Sequence, residues 1–151
     1  MAAIQILTGS VGGRALQCAE AAAAILRHTG HQVWVNGAPE PAELLRNPEE
    51  ILLVCTSTTG QGELPPALYP LYFALDDGAL DLSGRGFGVI ALGDSGYQHF
   101  AQGGLMLEDA LYRAGARRLG EIFMMDARRV DNQPVAAARW ALAWSEQLQA
   151  A

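Results

Sequence analysis

Apolar positions along this chain follow two rhythms, short unbroken runs and stripes spaced three or four residues apart. The runs are Ile4-Gln5-Ile6-Leu7, Gln32-Val33-Trp34-Val35, Ile51 to Cys55, Phe87 to Leu92 and Leu119 to Met125. Each is short for a helix, and most end in glycine, asparagine or hydroxyl residues, so they read as strands. The stripes read as helices. Gly12-Gly13 opens one that places Leu16, Ala19, Ala23 and Leu26 on one face and stops at Gly30. A short helix from Ala42 to Arg46 precedes Pro48, and Pro65-Pro66 starts another carrying Leu68, Leu71, Tyr72 and Leu75. A helix from Gly104 to Ala114 and a last one from Pro134 to Gln149 complete the series; Trp140 and Trp144 share a stripe with Ala137 and Leu148, as core residues do.

Strands therefore alternate with helices, with no repeat and no linker between them. This pattern predicts an α/β domain over residues 1–151: a five-stranded parallel sheet, doubly wound in three layers, with right-handed crossovers. In the order 2-1-3-4-5, the loops after strands one, three and four meet outside the carboxyl ends of the strands, where such sheets bind ligands. Those three loops are rich in glycine and hydroxyl groups.

The first, Thr8-Gly9-Ser10-Val11-Gly12-Gly13-Arg14-Ala15, offers main-chain amides and a helix N-terminus, a setting suited to phosphate. It is not a P-loop, because the G-K-[ST] element is missing and the chain has no lysine. Nor is it a dinucleotide fingerprint: Asn36-Gly37 follow the second strand where an acidic residue is required. One phosphate suits so short a loop better than a pyrophosphate. The second loop, Thr56-Ser57-Thr58-Thr59-Gly60-Gln61-Gly62, has hydroxyls for a phosphate or polyol, and glycines that let the backbone approach a flat ring. The third runs from Leu92-Gly93-Asp94 to Tyr97, Phe100 and Gln102; an aromatic among small residues suits stacking on a planar ligand.

Charge narrows the field. The net charge of −6 argues against a nucleic-acid partner. Cys18 and Cys55 match no metal-ligand or C-x-x-C spacing and read as small buried residues of a reducing compartment. No run of about 18 apolar residues is present and no signal peptide is visible, so a cytoplasmic monomer is the expectation.

The stretches "TSTTGQGELP" and "GVIALGDSGYQHF" resemble a short-chain bacterial flavodoxin, and the similarity covers essentially the whole chain. The resemblance implies a flavodoxin-like fold with FMN as cofactor and no catalytic or metal-binding residue. It further implies that Ser10 to Ala15 hold the phosphate, that Thr56 to Gly62 reach phosphate, ribityl chain and ring, and that Leu92 to Gln102 line the ring. Within these, Tyr97 would stack on the outer ring face, Asp94 would lie beside the ring edge, and the peptide at Gly60 would flip to bond the reduced ring. The first loop keeps one of the three hydroxyls usual in the family, with Arg14 as a compensating charge, and Thr59 stands where many relatives have a tryptophan.

The function so implied is a low-potential one-electron carrier between a flavodoxin or ferredoxin reductase and an acceptor enzyme. Glu63, Asp76, Asp77, Asp94, Glu108 and Asp109 are expected to form an acidic rim that docks both partners and disfavours the anionic reduced flavin. Two other readings share the fold: an FMN-dependent NAD(P)H:quinone or flavin reductase, and a divergent module that binds FMN weakly. A phosphoacceptor receiver domain is excluded, since it needs an aspartate after the third strand and a lysine after the fifth; Cys55-Thr56 and no lysine stand here.

Overall fold

The computed structural model describes residues 1–58, 62–96 and 101–149. Thr59, Gly60, Gln61, Tyr97 and Phe100, expected to contact the ring, lie outside the described residues. The strands are β1 (Ala3–Gly9), β2 (Gln32–Asn36), β3 (Ile51–Thr56), β4 (Gly86–Gly93), β5 (Arg117–Arg118) and β6 (Phe123–Asp126). The α-helices are α1 (Arg14–His28), α2 (Tyr69–Asp76), α3 (Gln102–Arg113) and α4 (Gln133–Ser145). The sheet is parallel in the order β2-β1-β3-β4-β5, and β6 also pairs with β4. No helix among the described residues is long and apolar enough to cross a membrane.

Period-two alternation along the strands sorts their side chains between two layers. Ile4, Ile6, Leu53, Cys55, Ile90 and Leu92 face α1 and α4. Leu7, Leu52, Val54, Phe87, Val89 and Ala91 face α2 and α3. On the first helix Ala19, Ala23 and Leu26 of the expected face are buried, together with Ala15, Cys18 and Ala22, while Leu16 is exposed. The small side chains of that stripe let α1 lie close to the sheet and to α4. Both cysteines are free and buried there; burial pushes the Cys18 thiol up to about 11 despite Arg14 nearby, and raises that of Cys55 as well. The expected short helices are tighter than drawn. Pro41–Leu45 and Pro66–Leu68 are 3₁₀ turns, the second leading into α2, and Glu146–Gln149 is a 3₁₀ extension of α4.

The continuous fifth strand expected over Leu119 to Met125 is in fact two pieces. Arg118 pairs with Phe87 and Phe123 with Ile90, so five steps on one side match three on the other and two residues are extruded. Gly120 permits the kink with φ 75. The carbonyl of Leu119 accepts a hydrogen bond from the Trp144 indole N–H at 3.0 Å. Trp144 reaches it by lying flat over Gly88, where an added Cβ would stand 2.6 Å from the indole. Trp140 stacks on Trp144 at 5.7 Å between ring centres and on Phe123 at 6.1 Å.

Gly88→Ala should therefore force Trp144 off its seat and destabilise the fold by about 1–3 kcal/mol in urea unfolding. Pairing it with Trp144→Phe should cost less than the sum of the two single changes; strict additivity would show that the contact does not matter.

Candidate functional site

Strand register sets the site. Gly9 lies opposite Thr56, Thr56 opposite Ala91, and Gly93 opposite Asp126, so four neighbouring strands end at nearly one level. Their loops enclose an open, largely apolar crevice of about 350 Å³ lined by Val11, Gly12, Arg14, Ser57, Leu92, Gly93, Asp94, Ala127 and Gln133. That volume lies within the ordinary range of small-molecule sites, ~300–1,000 Å³. The structure thus brings the three expected loops together and adds a fourth, from Asp126 to Gln133, that the sequence reading missed.

The first loop ends in Gly12 and Gly13, both left-handed at φ 85 and 87, which L residues adopt only under strain. Gly13 is the N-cap of α1, no side chain caps that helix, and no acidic residue occupies its first turn. Its leading amides and the positive end of its dipole are thus left without an internal partner, an arrangement that favours an anion. Arg14 is exposed at the crevice edge and Ala15 is buried beneath it. Thr8 and Ser10 have buried hydroxyls with no hydrogen-bond partner, beside a recess of about 120 Å³ shared with Gly9, Leu16 and Gly37. Gly9 meets a packing demand, since a Cβ there would stand 2.8 Å from Leu68 Cγ.

The hydroxyls of the second loop divide. Thr56 donates to the Ser57 carbonyl at 3.0 Å. Thr58 donates to the Leu92 carbonyl at 3.3 Å and accepts from the Gly103 amide at 2.9 Å, tying this loop to β4 and to the start of α3. Gly103 allows that approach, because a Cβ would lie 2.7 Å from the Ser57 carbonyl. Among Thr56, Ser57 and Thr58, only Ser57 has a buried and unpartnered hydroxyl, and only Ser57 lines the crevice. Gly62 is buried with φ 80, and Gln102 is half-buried at the first position of α3.

The third loop is held by a carboxylate from the fourth. Asp126 accepts from the amides of Ser95 and Arg128 at 3.0 Å each. Bonds from the Ser95 hydroxyl and amide, and then from the Arg128 amide, hold its carboxyl below the usual 3.8. Asp94 accepts from the Gly96 amide at 2.8 Å and from Arg128 Nε at 2.6 Å; these two bonds, in that order, lower its carboxyl too. Arg128 lies against Gly96, where no Cβ would fit. On the fourth loop, Gln133 is buried and its Oε1 has no partner. A residue type ordinarily found at the surface gave no sign in the sequence that it would be inside.

The acidic rim does not form as expected. α2 and α3 run back from the carboxyl ends of the strands, which carries Asp76 and Asp109 to the far end, where both pair with Arg113 at 2.9 Å. Asp77 follows the end of α2 in the same place, and Glu108 pairs with Arg118 of β5 at 3.0 Å. At the crevice, Asp94 and Asp126 stand beside Arg128 and Arg129. The local charge is mixed.

The set of groups suits an amphipathic ligand: a phosphate for the uncapped amides, hydroxyls for Ser57, and a flat apolar body against Val11, Leu92 and Gly93. A family model described as flavodoxin matches residues 6–140. The chain is 41% identical over 150 residues to flavodoxin YqcA of Pectobacterium carotovorum subsp. carotovorum, covering 99% of each. It is 37% identical over 148 residues to flavodoxin YqcA of Escherichia coli strain K12, covering 98% of this chain and 99% of the other. A cysteine-to-alanine mutant of flavodoxin from Pseudomonas aeruginosa superposes with a TM-score of 0.88 at 35% identity, over 97% of this chain and 98% of that one.

Because the folded Asp126 carboxyl titrates below its unfolded value, its contribution is complete above 3.8 and is lost as the pH falls through the depressed folded value. Asp126→Asn should lower stability near neutral pH and flatten the acid limb of the urea-unfolding profile. An acid limb as steep as the parent's would show that another group governs it.

Proposed function

The chain belongs to the flavodoxin family, and from that premise we propose that it carries single electrons between a reductase and an acceptor enzyme, with FMN held in the crevice described above. FMN is the cofactor of this family. The observation that carries the reading is the convergence of an uncapped, acid-free helix N-terminus and the orphan hydroxyl of Ser57 on one crevice. Buried polar groups are nearly always paired, so those left open here fit a ligand that supplies the missing partners.

In this assignment the amides of Ser10 to Ala15 and the α1 N-terminus hold the phosphate, and the Arg14 guanidinium adds charge where two of the family's hydroxyls are absent. The unpartnered Thr8 and Ser10 hydroxyls border the same loop. Ser57 meets the ribityl chain. Thr56 and Thr58 act by holding the loop in place, since their hydroxyls are engaged within the protein. Leu92, Gly93 and Val11 exclude water from the ring, and Asp94, tied to Arg128, borders its edge. Thr59, Gly60, Gln61 and Gly62 are assigned to the inner ring side and Tyr97 to the outer face, with Phe100 and Gln102 completing the third loop. Bound FMN supplies the electron chemistry, and the protein positions it and sets its electrostatic surroundings.

Partner docking follows the whole-molecule field more than a local rim. A net charge of −6 favours encounter with basic faces of a reductase and an acceptor in short-lived, salt-sensitive complexes.

Titration of the purified chain into FMN should quench flavin fluorescence, and stepwise reduction should then proceed as two resolved one-electron stages. Ser57→Ala should weaken FMN by about five- to tenfold. Absence of uptake would exclude the carrier, whereas NAD(P)H oxidation without any added reductase would assign the reductase reading instead.

A further inference from the structure

A second cavity of about 350 Å³ opens beside the crevice, and FMN as assigned above leaves it unused. The two share Arg14, Ala127 and Gln133, but the second has none of the ring-side residues Leu92, Gly93 and Asp94. It therefore continues from the phosphate end of the crevice, between the first turns of α1 and the approach to α4. Gln17, Asp131 and Asn132 give it polar walls, and Val130 and Pro134 add apolar surface. Among the described residues, the side chains of Arg14, Gln17 and Asp131 make no hydrogen bond or ion pair. Asn132 Oδ1 accepts from the Val135 amide at 3.2 Å, which leaves the NH₂ group of that side chain uncommitted. The way between the cavities is open: Gly12 and Gly13 lead into Arg14, and neither has anything within 4 Å of the place a Cβ would take.

Resting on the assignment of FMN to the crevice, we propose that the site also takes flavin adenine dinucleotide, with the second phosphate at Arg14 and the adenosine in the cavity between α1 and α4. The first loop holds one phosphate, and the second lies beyond it, where Arg14 lines both cavities and sets a cation at their junction. The loop itself suits an esterified phosphate. A monoester carries close to two charges and three oxygens that need donors, whereas a diester keeps a single charge and fewer free oxygens. Between Ser10 and Ala15 this chain supplies one hydroxyl. The adenosine is identified by chemistry. The Asp131 carboxylate and the Gln17 carbonyl accept from ribose hydroxyls and the adenine amino group, and the NH₂ groups of Gln17 and Asn132 donate to ring nitrogens. Val130 and Pro134 offer the base an apolar surface, and the volume lies within the range of small-molecule sites.

Dissociation constants of FMN and of flavin adenine dinucleotide are measured by calorimetry on the chain freed of flavin, for the parent and for two variants of the exposed Gln17. Gln17→Trp fills the cavity, and Gln17→Glu sets a negative charge beside the second phosphate. The parent should bind the dinucleotide within about tenfold of FMN. Each variant should weaken the dinucleotide by about tenfold and change FMN by less than about twofold. The proposal is overturned if the parent binds the dinucleotide more than about tenfold less tightly than FMN. It is equally overturned if both variants weaken the two flavins alike, or if neither affects the dinucleotide, which would leave the adenosine in solvent. A parent chain that takes up neither flavin overturns the function itself, a result distinct from loss of the dinucleotide alone.

Discussion

Parallel strands share slanted hydrogen bonds whose register decides where each strand stops beside its neighbour. Here that register sets Gly9 beside Thr56, Thr56 beside Ala91 and Gly93 beside Asp126. Four loops consequently leave the sheet at one level and face a common space. The rest of the site depends on this alignment, because none of these loops carries enough groups to bind a nucleotide alone. A slip of one residue in β3 would exchange the two layers of the core and also withdraw Ser57 from the crevice.

Within that frame the polar side chains do two kinds of work. Thr58, Asp94 and Asp126 spend hydrogen-bonding capacity on other loops, and Thr56 on its own neighbour Ser57, and the result is a set of crevice walls braced against one another. Ser57 and Gln133 keep theirs unspent. Preorganisation of this kind reduces the ordering that a ligand must impose when it arrives. It also explains how a first loop with one hydroxyl in place of three can still serve, since main-chain amides, a helix end and Arg14 remain available to a phosphate.

The contact between Trp144 and Gly88 shows how one tertiary demand reshapes local structure. The indole needs a flat seat on the sheet and an acceptor for its N–H. Gly88 provides the seat, and the extruded Leu119 provides the carbonyl. The fifth strand is broken for that reason, although its apolar residues taken alone suit an unbroken run.

The sequence by itself determined the order of elements, the parallel sheet with its 2-1-3-4-5 winding and the three glycine- and hydroxyl-rich loops, because hydrophobic period and turn chemistry are local properties. It also pointed to the family through two contiguous motifs. It did not determine that α1 buries Ala15 and leaves Leu16 outside at its first turn, where alanine and leucine both suit a helix and packing against the sheet chooses between them. Nor did it reveal that Asp76 and Asp109 lie at the far end from the crevice, because nearness to a loop in sequence is not nearness in space once a helix has carried the chain back across the sheet. Which hydroxyls are free, and the inward turn of Gln133, were decided only by tertiary contacts: a polar side chain's role depends on whether the fold has already given it a partner.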